Sequence, residues 1–237
     1  MLFRPDPASR IQRRERDAAR WSEPPRGWSG RLGAWANMLI ADHGIFRLIY
    51  ANYHWLSPRA ARSAQPSPGL IRRFAGAGGR SVISLRGGLM FGSLPLEMEA
   101  CAAAGLTFRR ITARSRQLPS RTEFAEIVAT MRTAEPPVLY HCKSGADRVG
   151  FVSVLHMHLI EGQPLREAIG QLSLRYGHIK AAKTGILDHF FETYLHEADG
   201  DSLEHWVATR YDPTRVAKSF RPGFGAGLLV DGLLRRE

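Results

Sequence analysis

The most constraining feature of this chain is the passage His141-Cys142-Lys143-Ser144-Gly145-Ala146-Asp147-Arg148-Val149-Gly150, set between two apolar runs. Val138 to His141 before it reads as a short buried strand. Phe151 to Ile160 after it is apolar nearly all round, the pattern of a helix buried on every side. Strand, tight loop and buried helix in that order point to a layered α/β arrangement, whose ligands sit beyond the carboxyl ends of the strands.

The rest of the chain agrees with that frame. Arg80 to Leu85 and Leu106 to Ile111 read as further strands. Ser93 and Pro95 open a helix ending at Gly105, with Leu94, Met98 and Cys101 on one face, so that Cys101 reads as a small core hydrophobe. Ser120 and Glu123 have capping-box spacing, and Phe124, Ile127, Val128 and Met131 follow at helical spacing. Further helices are expected from Pro164 through Leu172, over Leu187 to Tyr194, and around Trp206. The predicted fold is α/β, a central, mostly parallel twisted sheet flanked by helices. Residues 1–30 read as a basic arm without apolar periodicity. Residues 31–211 read as one domain with an N-terminal helical segment, and 212–237 as a peripheral tail. That segment, with Leu32, Trp35, Leu39, Phe46 and Ile49, either covers the core or lies on a membrane surface.

Charge narrows the partners. With 33 Lys and Arg against 22 Asp and Glu the net charge is +11, which favours anions. Nucleic acid is not expected, because the basic arm has no aromatic-basic platform beside it. The two cysteines build no disulfide framework, and no stretch approaches the ~20 apolar residues of a membrane span, so a cytoplasmic protein is expected, with peripheral membrane contact as the variant. The nine histidines show no metal-ligand spacing, and neither a metal nor a cofactor is expected.

A loop that enters a helix N-terminus presents several backbone N–H groups and a positive dipole end to one point, which makes an anion cradle. Gly145 permits the close turn, and Lys143, Ser144, Gly145 and Ala146 line it. Arg148 can offer a planar fork to two phosphate oxygens. Cys142 lies in the same positive field, which favours its thiolate and makes the sulfur a nucleophile.

His141 to Arg148 resembles the signature loop of the protein tyrosine phosphatase superfamily. Arg62-Ser63-Ala64-Gln65-Pro66, then Val82-Ile83-Ser84-Leu85-Arg86-Gly87, then the loop and Tyr176-Gly177-His178 follow the order of its bacterial dual-specificity-like branch. The resemblance covers roughly residues 50 to 195. It implies the cysteine-phosphatase fold and hydrolysis of phosphate monoesters by transfer to Cys142 and breakdown of a phosphocysteine, without metal. A phosphorylated protein is the implied substrate. A lipid or inositol phosphate is the alternative, and a phosphate-trapping pseudophosphatase a reading of another class. The sequence sets no oligomeric state.

Two departures stand out. Where the family has Ser or Thr after the arginine, this chain has Val149, which puts the second step in question. Many relatives supply an acid from a loop before the cysteine, yet Arg109 to Thr122 contains none. Asp147 is then the expected general acid, or else a carboxylate that shapes the loop. Arg109, Arg110, Arg114, Arg116 and Arg121 crowd that acid-free stretch. Arg114 and Arg116 read either as binders of a second phosphate or as a solvated basic face. His141 is expected to support the loop, and Arg86 to point to the site side of the sheet. His178 and Lys180 fit a pocket rim or a helix end equally. His156 and His158 read as structural.

Overall fold

In the computed structural model, residues 15–16, 19–42, 50–87 and 91–223 are described. Five strands form one sheet in the order β1-β2-β5-β3-β4: β1 (His54–Ser57), β2 (Ala60–Ser63), β3 (Ser81–Ser84), β4 (Thr107–Arg110) and β5 (Val138–His141). Only the β1–β2 hairpin is antiparallel. The pairs β2–β5, β3–β5 and β3–β4 are parallel. β5 is therefore the middle strand, and the loop that follows it leaves the carboxyl edge of the sheet, where open α/β sheets bind ligands.

Both sheet faces are covered, so every residue of the inner strands β2, β3 and β5 is buried. Alternation sorts their side chains between two cores. Ala60, Ile83, Val138 and Tyr140 face the larger core, while Ala61, Val82 and Leu139 face the smaller. The smaller side holds α2 (Pro68–Gly76), through Ile71 and Phe74, and α3 (Ser93–Ala103), through Ala100 and Cys101. The larger side holds α4 (Arg121–Thr133), α5 (Asp147–Leu159), α6 (Leu165–Ala168), α7 (Ile186–Glu197) and α8 (Leu203–Thr209). α4 begins with the expected capping box: Ser120 Oγ accepts from Glu123 N, and Glu123 Oε2 accepts from Ser120 N at 2.8 Å.

Three expectations change. Along α3 the apolar stripe shifts: Leu96, Ala100 and Cys101 are buried and Met98 is half-buried, because Glu97 turns inward. Burial, followed by the charge of Glu97, pushes the Cys101 thiol up, as suits a packed and unreactive side chain. The segment from Asp212 is not wholly peripheral. Asp212 Oδ1 caps α9 (Pro213–Ser219) and Val216 is buried in the larger core. Asp before Pro at a helix start was legible in the sequence; its burial needed the partner surface. At the other end, the boundary drawn at residue 30 falls inside α1 (Gly27–Ala36), and Trp21 before it is buried. Most of the basic arm, with Phe46 and Ile49, lies outside the described residues.

Candidate active site

The loop after β5 is built by pinning its carbonyls from outside. Gln65 N donates to Lys143 O at 3.2 Å. Asn52 Nδ2 donates to Ser144 O at 3.2 Å and Gly145 O at 3.0 Å. Arg62 Nη2 donates to Gly145 O at 2.8 Å and Ala146 O at 3.2 Å. In a trans peptide the N–H points opposite the C=O. Four consecutive carbonyls held outward thus turn the N–H groups of the next residues toward the inside of the loop. Gly145 N–H shows this directly, donating to Cys142 Sγ at 3.3 Å. Cys142 is buried, one residue past β5, and faces the same point.

Gly145 makes the turn feasible. Its φ is +75°, and a Cβ there would stand 2.6 Å from Ala64 N and 2.9 Å from Asn52 Nδ2. Arg62 underlies the loop as a fully buried cation. Its Nη1 donates to Gln171 O and Oε1 at 2.8 and 2.9 Å, and its guanidinium stacks 3.9 Å from the Tyr176 ring. Burial pulls its pKa down to about 10, while Tyr176 and Cys142 act in the opposite sense. Arg148 is the second residue of α5 and is buried at its N-terminus, on the same turn as the cradle.

A second layer runs behind the cysteine. His141 Nε2 lies 2.6 Å from Glu97 Oε1, both groups buried. Glu97 Oε2 accepts from Gln65 Nε2 at 2.9 Å, and Gln65 Oε1 from Arg86 Nη1 at 2.7 Å. Arg86 grips Asp42 with both nitrogens, at 2.9 and 2.8 Å. Arg86, just past β3, is thus a buried ion-pair partner of Asp42. Lys143 Nζ lies 3.9 Å from Asp42 Oδ1, which turns part of its charge inward.

Asp147 opens α5 and is buried. His178 Nδ1 donates to Asp147 Oδ1 at 2.8 Å, and His178 Nε2 to Asp188 Oδ2 at 2.6 Å. With both ring nitrogens donating, the imidazole is an imidazolium. Burial alone would lower its pKa; the hydrogen bonds and charges of the two carboxylates outweigh burial and raise it to about 9. Asp147 is the acceptor of a charged pair, an arrangement that suits the loop-shaping alternative better than a poised acid. His178 is an internal clamp, not a rim residue, whereas Lys180 pairs with Glu192 on the surface.

The arginine stretch begins with Arg109 and Arg110 at the end of β4 and continues past it, with Thr112 bridged to Arg86. Its members are largely engaged. Arg114 pairs with Glu123, Arg109 donates to Thr133 Oγ1 at 2.7 Å, and Arg110 to Gly87 O at 2.9 Å. Arg121 donates to Tyr211 O and Ala208 O at 2.8 and 2.9 Å. Arg116 is half-buried in the same loop. His156 bonds Tyr140 Oη and Glu161 Oε1, and His158 bonds Gln163 O, both as structural residues. Asn52, Glu97, Asp42 and Asp188 escaped the sequence reading. The legible signals were Glu97, alone among Leu94, Leu96 and Met98, and Asp42, the first acid after Glu23.

Residues 97–166, from Glu97 through β4, α4, β5 and the cradle to α5, match the model of the tyrosine phosphatase family. The family segment thus contains the cysteine loop and its Glu97 support, while Arg62, Asn52 and His178 reach it from outside. No curated protein matches the chain. Among solved structures it resembles P. aeruginosa TpbA in complex with pTyr, at 19% identity over 67% of this chain and 91% of that one, with a TM-score of 0.49. It also resembles Tk-PTP in the active form, at 23% identity over 54% of this chain and 86% of that one, TM-score 0.42. A third is PTPMT1 in complex with PI(5)P, at 18% identity over 62% and 98%, TM-score 0.43.

Proposed function

We propose that the chain is a cysteine-dependent phosphatase that hydrolyses aryl phosphate monoesters, phosphotyrosine in proteins above all. The observation that carries this reading is the cradle itself, four carbonyls pinned outward and Gly145 N–H on the Cys142 sulfur. The inward N–H groups with Arg148 bind three phosphate oxygens, and the Cys142 thiolate stands in line to attack phosphorus. An S–P bond forms as the P–O bond to the leaving group breaks, and the departing oxygen takes up a proton. Water then attacks the phosphocysteine, releasing inorganic phosphate and restoring the thiolate.

Preference for aryl esters follows from Asp147. Its Oδ1 is taken up by His178, so this reading makes Asp147 a loop-shaping acceptor rather than the proton donor, and leaving groups that depart as stable anions are favoured. A phenol, with a pKa of about 10, leaves more readily unprotonated than an aliphatic alcohol. The inward turn of Lys143 and the engaged arginines give less support to a lipid or inositol phosphate.

The test is phosphate release, without metal, from matched aryl and alkyl phosphates by wild type, Cys142→Ser and Asp147→Asn. Wild type should turn over the aryl ester, Cys142→Ser should lose at least about a thousandfold, and Asp147→Asn should retain most aryl activity. Equal rates on alkyl esters would remove the aryl preference. A single burst followed by arrest would instead favour a phosphate trap, since Val149 brings no hydroxyl to the second step.

A further inference from the structure

The N-terminal helix Gly27–Ala36 and the π turn Asn37–Ala41 that extends it carry apolar side chains on two sides. Inward, Ala34 and Met38 join Trp21 and Leu96 in a small core of their own. Outward, Trp28, Leu32 and Ile40 stand 79%, 61% and 75% exposed. Trp28 and Leu32 are one turn apart. The π turn rotates less per residue than an α-helix, which brings Ile40, not Leu39, onto their flank. Large exposed apolar side chains grouped this way mark an interaction surface.

Charge selects the occupant. From Pro24 to Ala41 the chain has no acidic residue, and residues 1–31 hold eight arginines against four acids. A second copy would bring another net +11 to the contact and be repelled. A tryptophan and two aliphatic side chains on a stretch whose charged residues, between Pro24 and Ala41, are Arg26 and Arg31 match an anionic lipid surface, where indole rings sit at the head groups and basic residues meet lipid phosphates.

We propose that Trp28, Leu32 and Ile40 dock this helix on the surface of an anionic bilayer. The docked element ends at the cradle: Asp42, two residues after Ile40, closes the π turn, binds Arg86 with both carboxylate oxygens and lies 3.9 Å from Lys143 Nζ. Docking therefore holds the phosphate site at the lipid surface, where membrane-associated phosphorylated partners are concentrated.

The full-length chain would be sedimented with vesicles of phosphatidylcholine alone and of phosphatidylcholine with phosphatidylglycerol, at low and high salt. The double variant Trp28→Ser/Leu32→Ser would be run alongside, with thermal unfolding as its folding control. Wild type should sediment with the anionic vesicles, less so at high salt, and the folded variant should bind at least about tenfold more weakly. No binding to anionic vesicles, or equal binding by the variant, overturns the proposal. So does a wild-type dimer in sedimentation velocity that the variant abolishes, which would assign the face to self-association. Vesicle binding is read without turnover, so this result is independent of the cysteine chemistry proposed above.

Discussion

Gly145 is the residue on which the cradle turns. Its φ of +75° already strains any side chain, at roughly 1–2 kcal/mol, and the space a Cβ would need is filled by Ala64 N and Asn52 Nδ2. Gly145→Ala must therefore push the loop off Asn52 and the β2 edge, moving the amide that bonds Cys142 Sγ. Misplacement of a reacting group by about 1 Å costs on the order of a hundredfold. Gly145→Ala should lower kcat/KM on an aryl phosphate by at least that factor; a value near wild type would show that the amide geometry is not what binds phosphate. Arg62 works at the same scale with a different signature. Arg62→Met keeps the bulk but leaves the carbonyls of Gly145 and Ala146 without their donor, at about 1–3 kcal/mol for each buried group. A lower midpoint of chemical unfolding, with activity lost in parallel, is the expected result.

Between elements, His178 is the strongest tie. It lies in the segment between α6 and α7 and joins Asp147 at the start of α5 to Asp188 in the first turn of α7. Its pKa is raised from 6.5 to about 9, so the folded state binds a proton more tightly than the unfolded chain does. That contribution is fully present below pH 6.5 and is lost as pH rises through about 9. The unfolding midpoint of wild type should fall across this window. His178→Gln cannot carry the charge and leaves two buried carboxylates uncompensated, an effect on the order of 3–5 kcal/mol. The variant should be less stable at pH 6.5 and should show a flatter slope between pH 6.5 and 9, measured by thermal unfolding in a pH series. A slope identical to wild type would mean that some other group titrates there.

For the molecule as a whole, the two cores on either side of the sheet depend on segments remote in sequence from the loop they support. The carboxyl-terminal helix α9 is one: Val216 is buried in the larger core, and Arg215 forms a two-pronged pair with Glu197 at 2.5 and 2.8 Å. Truncation after Tyr211 should cost roughly 2–3 kcal/mol, mostly from the lost burial of Val216 and its neighbours. Truncation after Gly223, which keeps α9, is the reference against which that loss is read. Equal stability of the two would return the segment to the peripheral role that its Pro and Gly content suggests. Among the described residues no helix is long and apolar enough to cross a membrane.

The sequence alone determined the layered α/β order, the strand before the loop and the cysteine loop itself, because these depend on local periodicity and on residue types with few alternative uses; the place of that strand in the middle of the sheet came from the tertiary pairing. Val138 to Arg148 reads the same in one dimension as in three. The capping box of Ser120 and Glu123 was equally legible, since its partners lie within one helical turn. What holds the loop open was decided by tertiary structure. Asn52 and Arg62 reach carbonyls about ninety and eighty residues away, Glu97 meets His141 across the α3–β5 packing, and His178 joins two helices. Burial brings such polar groups together only once the apolar layers have closed around them, because an unpaired polar group is costly there. Polar partners far apart in sequence leave no periodic trace, and the inward turn of Glu97, Asp42 and Asp147 is decided by the charges that meet them inside the fold.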